Sequence, residues 1–381
     1  MLEVAHLLSG DLWAGAEAAT AHLLAALAER PELRVRALLL NEGELARRLR
    51  AAGIAVEVEP EQGRGFLALA RAVRRRLAGC DLVHAHRYKE DLLAALSGRP
   101  WIATQHGRPE PFSGAAARRM RVYLALDRAA QRFSARRVVA VSAEVEAWLA
   151  ARIGARRCAL VPNGIADPQP RISPPAFAER PLRVGALARL APVKGIELAI
   201  DAVAAAPGFE LEIVGDGPLR GALEARAAAS RAAARIRFAG FDPQPLARVA
   251  QWRALLVTSH HEGHPISALE ALALGTPILA APLRGVSDAL AGQGGRCLPD
   301  RDPGRWAAAL DELRAPEPGS ALSRAARARF VSAFESRGAA ARMAALYAEL
   351  APRASGARTR PAQPGARAAL LGAQTRGPGD R

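Results

Sequence analysis

Short apolar runs alternate with helical stretches along almost the whole chain, and this alternation most restricts what the chain can fold into. Residues 2–8, 33–40, 54–58, 82–86, 101–105, 138–142 and 254–258 read as strands. Helical patterns over 18–29, 44–52, 66–78 and onward from 92 separate the early ones. Strands joined by crossover helices pair in parallel, so the expected class is α/β with doubly wound sheets. Ligands of such sheets sit beyond the carboxyl ends of the strands. A length of 381 residues, 50% of them apolar, allows two domains with large cores. Residues 1–8 are too short for a signal peptide, and no uncharged apolar run reaches the ~18 residues of a spanning helix. Cys80, Cys158 and Cys297 form no C-x-x-C pair and read as thiols in a reducing cytoplasm.

The formal net charge is +16. Residues 1–170 hold 25 basic against 18 acidic side chains, and residues 352–381 hold 6 against 1. Such an excess suits nucleic acid, an anionic membrane face or phosphorylated substrates. With 4% aromatics and no nucleic-acid motif, nucleic acid is set aside. Five arginines fall between Arg64 and Arg76 and seven between Arg118 and Arg137, each set beside apolar residues. Both segments suit peripheral attachment to an anionic membrane; the plainer alternative is a solvated helix face. Lys89 and Lys194 are the only two lysines.

The stretch from Ser259 to Glu270 carries the chemistry. It follows the apolar strand 254–258 and runs into a helix over 267–274 closed by Gly275, with Pro265 suited to the first turn. Glu262 then lies in the strand-to-helix loop and Glu270 within the helix. A helix start offers free N–H groups and a positive dipole end to a phosphate. Two acids flanking such a site suggest a nucleotide sugar, with Glu270 at the ribose and Glu262 at the sugar. Other phosphate loops fail. Gly10 and Gly15 have the spacing of a P-loop, but Ala16 stands where lysine is needed, and G-x-G-x-x-G is absent. A metal is not expected at His84, His86 and His106, since no other ligand type clusters with them. Asp300-Arg301-Asp302 mimics D-x-D, but Asp302 reads better as a helix N-cap before Pro303.

Glu262 and Glu270, followed by Ala271 to Ile278, resemble the E-x7-E signature of the family 4 retaining glycosyltransferases (glycosyl transferases group 1). Residues 187–195 resemble its G-R-L-x-x-x-K-G element, with Ala188 in the glycine's place, and residues 161–165 its V-x-N-G-I element. Residues 210–219 carry a further hallmark of the family, a strand with a tight turn. The loop Gly15-Ala16-Glu17 matches a G-G-x-E element only in part, and Arg284 replaces a glycine near the sugar site. The resemblance implies the GT-B architecture, two Rossmann-like domains facing across a cleft. Its expected divisions are 1–170 on the acceptor side, a linker at 171–180, a donor domain at 181–335, a helix at 336–351 packing back on the first domain, and a disordered basic tail at 352–381.

The implied reaction moves a sugar from a nucleotide-diphosphate donor to a glycan or lipid-linked hydroxyl, with retention and without metal or cofactor. Arg189 and Lys194 would hold the diphosphate, His106 and Glu262 the sugar, and Glu270 the ribose. The helix start from Gly263 through His264, Pro265 and Ile266 would touch sugar hydroxyls and phosphate, with Gly15, Gly215 and the backbone at Phe241 completing the donor site. Cell-envelope polysaccharide or lipopolysaccharide is the expected product, made in the cytoplasm at the inner membrane face. A nucleotide-sugar epimerase of the same fold and a non-catalytic nucleotide-sugar-binding protein stand as alternatives.

Overall fold

Among the described residues the strands pair only in parallel, in two sheets. The first is built from β1 (Leu2–Leu8), β2 (Leu33–Leu39), β3 (Ala55–Val58), β4 (Leu82–Ala85), β5 (Trp101–Gln105), β6 (Val138–Ala140) and β7 (Cys158–Leu160), in the order β3-β2-β1-β4-β5-β6-β7. The second contains β8 (Arg183–Leu187), β9 (Glu210–Val214), β10 (Ile236–Gly240), β11 (Ala254–Val257), β12 (Ile278–Ala280) and β13 (Gly295–Cys297), in the order β10-β9-β8-β11-β12-β13. The computed structural model describes residues 1–11, 13–109 and 114–351, without the side chains of 114–117. The tail 352–381, expected to be disordered, lies outside the described residues.

Each sheet reverses its winding once, between β1 and β4 and between β8 and β11. Crevices at such switch points, beyond the strand ends, are where open α/β sheets take ligands. The central strands are covered on both faces, which is why they read as continuous apolar runs: Val4, Ala5 and Leu7 of β1 are all fully buried. In the second sheet Gly185 of β8 makes room for Trp252, since a Cβ there would lie 2.1 Å from the indole. The indole N–H donates to Glu212 Oε2 at 2.9 Å, satisfying its one donor inside the core.

The segment before β8 is fastened to the second sheet. Arg180 is buried and donates to the carbonyls of Trp252, Leu274 and Gly275 at 3.1–3.3 Å. Arg253 donates to the carbonyls of Arg180, Ala178 and Leu313 at 2.9–3.3 Å. Phe177 fits against Gly319, where a Cβ would lie 1.8 Å from its ring.

Two boundaries differ from the sequence reading. The first helix starts at Gly15 rather than 18, because the Ala14 N–H finds an acceptor in Glu17 Oε2 at 3.2 Å. Pro265 precedes the helix Ile266–Ala273 as its N-cap. The last two helices, Pro316–Ala333 and Ser336–Leu350, are separated at Phe334 and Glu335. There the Ile165 N–H donates to Phe334 O at 2.9 Å and the Ser336 N–H to Ile165 O at 2.8 Å. The chain thereby crosses back, and Met343, Ala344 and Tyr347 of the last helix join the core on one face of the first sheet.

Between the helices Tyr88–Ala95 and Gly114–Phe133, Asp91 and Asp127 are buried around Gln131, whose amide donates to both at 2.8 and 3.3 Å. Burial, then the neighbouring Asp127, holds the Asp91 carboxyl well above its usual range. Burial pushes Asp127 up to about 6 and the adjacent Glu90 up to about 7. Carboxyls raised in the folded state cost nothing below their unfolded values and destabilise progressively as pH rises through the folded ones. Asp127→Asn should therefore raise Tm by several degrees at pH 8 and leave it within about one degree at pH 4, measured by thermal denaturation.

Candidate functional site

The second switch point brings two strand exits together. β8 runs into Ala188, the exposed Arg189 and the short turn Pro192–Lys194; β11 runs into Thr258, Ser259 and His260. The two exits are tied by the His260 N–H donating to Val193 O at 2.7 Å and Thr258 Oγ1 donating to Lys194 O at 3.0 Å. Gly195 closes the turn with φ +53°, and a Cβ there would lie 2.6 Å from the Thr258 carbonyl oxygen. Held this way, Lys194 Nζ donates to Glu262 Oε1 at 2.7 Å, and Ser259 Oγ donates to the same oxygen at 2.6 Å.

The helix Ile266–Ala273 begins four residues after Glu262 and no side chain caps it. The Ala268 N–H turns back to Pro265 O at 3.1 Å, while the Ile266 and Ser267 N–H groups, at the positive end of the dipole, have no side-chain cap. Glu270, one turn in, is half-buried. Burial pushes its carboxyl up to about 7, against the pull of Arg48.

The first sheet supplies the opposite wall. Gly263 packs under the His106 carbonyl, where a Cβ would lie 2.2 Å from the oxygen, and a Cβ at Gly285 would lie 2.4 Å from the Gly263 oxygen. Asn163 Nδ2 donates to His264 O at 3.2 Å. Arg48 Nη2 donates to Pro243 O at 2.9 Å while its guanidinium lies 4.2 Å from the Trp13 ring centroid. Glu144 accepts from the Gly285 N–H at 3.2 Å and pairs with Arg108 at 3.0 Å.

His106 follows β5. Its Nε2 lies 3.1 Å from His86 Nδ1, its Nδ1 is buried with no partner among the described residues, and burial lowers its pKa to about 4, so the ring is neutral. A metal was set aside for His84, His86 and His106, yet His6, His84 and His86 have ring nitrogens within 4.8 Å of one another, the crude geometry of a three-histidine site. Sequence spacing hid this because His6 comes from β1. All six of those nitrogens already face a protein hydrogen-bonding atom at 2.6–3.1 Å, and a metal would have to displace those bonds.

Residues 13–167 match the domain family described as Glycosyltransferase Family 4, and residues 171–329 match Glycosyl transferases group 1. The chain belongs to glycosyltransferase family 4. It is 30% identical over 251 residues to the 2-deoxystreptamine glucosyltransferase of Streptomyces kanamyceticus, covering 58% of this chain and 65% of that protein. It is 30% identical over 249 residues to the 2-deoxystreptamine N-acetyl-D-glucosaminyltransferase of Streptomyces fradiae, covering 58% and 59%. The chain thus spans less than two thirds of the length of these curated relatives. The crystal structure of Anabaena Alr3699/HepE in complex with UDP-glucose superposes with a TM-score of 0.81 at 21% identity, over 92% of this chain and 100% of that one. The two parallel sheets are those of the GT-B fold.

In this family 4 chain, Glu262, Lys194, Gly263 and His106 come together, and Gly15 meets the same loop: its Cβ would lie 4.0 Å from Ile266 Cγ1. Gly215 has another evident task. With φ +134° it lets the β9 exit approach Ala188, whose carbonyl oxygen would be 2.0 Å from a Cβ. Phe241 is 60% exposed just past β10. The His264 ring is buried against Phe334, its centroid 5.3 Å away, and burial lowers its pKa to about 4. Sequence reasoning marked Ser259 three residues before Glu262 but missed Glu144 and Arg48, which come from distant helices and left no local signal.

Gly263 and Gly15 make a contrast. Gly263→Ala places a methyl into backbone, whereas Gly15→Ala makes ordinary contact with a side chain. The first should lower Tm by several degrees, a loss of about 2 kcal/mol, and the second should shift it by about one degree or less.

Proposed function

We propose that the protein transfers a sugar, with retention of configuration, from a nucleotide-diphosphate donor to the hydroxyl of a glycan or lipid-linked acceptor. The observation that carries this reading is the Lys194–Glu262 pair, held beside an uncapped helix start and next in the chain to Gly263, which packs on the His106 carbonyl. Lys194 and Arg189 stabilise charge on the departing diphosphate, together with the helix dipole, so no metal is required. Lys194 shares its ammonium between Glu262 and phosphate. Glu262, fixed by Ser259, accepts from sugar hydroxyls, and Glu270 takes the ribose. His106, uncharged, contacts the sugar from the other wall. UDP-glucose, present in the Anabaena complex, is the donor to test first.

Lys194→Ala and Glu270→Ala should each lower donor turnover at least ~100-fold, about 2.7 kcal/mol of transition-state stabilisation, with native circular dichroism. Turnover by the intact protein should persist in EDTA. Near-normal rates in either folded variant would remove that residue from the site. Donor binding without turnover across an acceptor panel would favour a non-catalytic binding protein.

The acceptor is proposed to be a cell-envelope glycan or lipopolysaccharide precursor at the inner membrane face. Support comes from exposed apolar residues set among arginines: Leu67 beside Arg71, Arg74 and Arg75, and Val122, Leu126 and Phe133 beside Arg121, Arg128 and Arg132. Among the described residues, no helix is long and apolar enough to cross a membrane. Each basic residue near an anionic surface contributes about 1 kcal/mol, weakened by salt. A small aminocyclitol acceptor is the second reading, favoured by the two Streptomyces relatives named for 2-deoxystreptamine. Sedimentation with anionic liposomes separates them. Membrane docking predicts binding at low salt that is lost on raising salt and in the triple variant Arg121→Glu, Arg128→Glu, Arg132→Glu; no binding at low salt favours the soluble acceptor.

A further inference from the structure

Behind His106 runs a single file of buried hydrogen-bonding groups. Thr104 Oγ1 lies 2.6 Å from His84 Nε2, and His84 Nδ1 lies 2.6 Å from the Tyr347 hydroxyl. That hydroxyl lies 3.1 Å from His6 Nε2, and His6 Nδ1 lies 3.0 Å from His86 Nε2. His86 Nδ1 lies 3.1 Å from His106 Nε2, and His106 Nδ1 ends the file without a partner. The rings of His84, His86 and His106 stack at centroid distances of 4.4 and 5.4 Å, so the geometry is fixed by packing as well. Burial lowers the pKa of His6 to about 3 and that of His106 to about 4, and holds those of His84 and His86 well below the usual value, so all four imidazoles are neutral.

Neutral members have one hydrogen each to give. Six members therefore bring six hydrogens to five links, and a file with every link filled once has only two arrangements. Either every donor points toward His106, leaving an Nδ1–H at its end, or every donor points toward Thr104, leaving a bare His106 Nδ1 and an outward Thr104 hydroxyl. Two observations select the first. Thr104 Oγ1 has no other hydrogen-bond partner among the described residues, so an outward hydroxyl hydrogen would have no acceptor there. Thr20 Oγ1 donates its only hydrogen to Ala16 O at 2.8 Å, so toward His86 Nδ1, 3.4 Å away, it can only accept. That favours hydrogen on His86 Nδ1, the arrangement pointing at His106.

We propose that this file is a polarised relay that fixes His106 as the Nδ1–H tautomer, making it a hydrogen-bond donor to a ligand oxygen. His86, His6, Tyr347 and His84 are positioning residues that act through His106. The relay's bearing on sugar transfer rests on the reading of His106 as a sugar contact; the tautomer does not. Tyr347 comes from the helix Ser336–Leu350, so that helix carries the polarity through to a residue some 240 positions earlier in the chain.

Long-range proton–nitrogen NMR on the full chain with 15N-histidine tests this, with His106 assigned from His106→Gln. The wild type should show His106 protonated at Nδ1 and bare at Nε2. Tyr347→Phe severs the file and Thr20→Val removes the lateral acceptor. Each should lower the Nδ1–H population, and the double variant should bring the Nε2–H form, usual for a free imidazole, to the majority. Thr104→Val carries the same reading if the double variant does not fold. A wild-type Nε2–H tautomer, or a folded double variant unchanged from wild type, overturns the relay. So does perturbation of the His6, His84 and His86 signals by one equivalent of zinc, which would make the cluster a metal centre. Donor turnover should fall about tenfold in the double variant, the worth of one well-placed hydrogen bond. A shifted tautomer with unchanged turnover upholds the relay and removes His106 from the sugar.

Discussion

Gly263 lies against the His106 carbonyl with no space for a side chain, and the site depends on that contact. The loop after β11 and the loop after β5 belong to different sheets. With glycine at 263 and 285, three backbone segments can approach to a separation that any Cβ would forbid. The approach sets the residue next to Glu262 against the His106 main chain. Asn163, Arg48 and Glu144 reinforce it by bonding to main-chain atoms of the opposite side, which makes the joint insensitive to side-chain identity there.

The charge arrangement follows from the same convergence. Lys194 is tied through its own carbonyl to Thr258, so its ammonium and the Glu262 carboxylate are delivered by neighbouring strand exits. Neither residue is deeply buried, with side-chain exposures of 24% and 12%, so the pair is held without the full penalty of desolvating two ions. An ammonium already compensated can turn toward a stronger anion at small cost. Glu270 is the opposite case, a carboxyl that burial raises to about 7 with only the weaker pull of Arg48 against it.

The polar interior of the first sheet has a similar logic. Four imidazoles, a phenol and a threonine hydroxyl are removed from water, yet only His106 Nδ1 is left unsatisfied among their ring nitrogens. Burying so many polar groups is tolerable only because each finds a partner, and leaving one unpaired costs about 1–3 kcal/mol until something binds it.

The sequence by itself determined the α/β class, the parallel winding and the neighbourhood of the site. Strand and helix periodicity is local, and residues 254–275 place loop, helix start and both acids within one βα unit. It also marked Asp302 correctly as a cap: its carboxylate accepts from the Arg305 N–H at 3.0 Å. Local pattern could not show what holds the chain between the last two helices, where the Ile165 N–H and carbonyl bond to Phe334 and Ser336. Nor could it join His6, His84 and Tyr347, which come from two strands and the last helix. Glu144 on Gly285, Arg48 on Pro243 and the methyl-free contact at Gly263 were likewise invisible, because each arises from the approach of the two sheets. Periodicity fixes which face of an element is buried; only tertiary packing decides which distant atoms then meet across it.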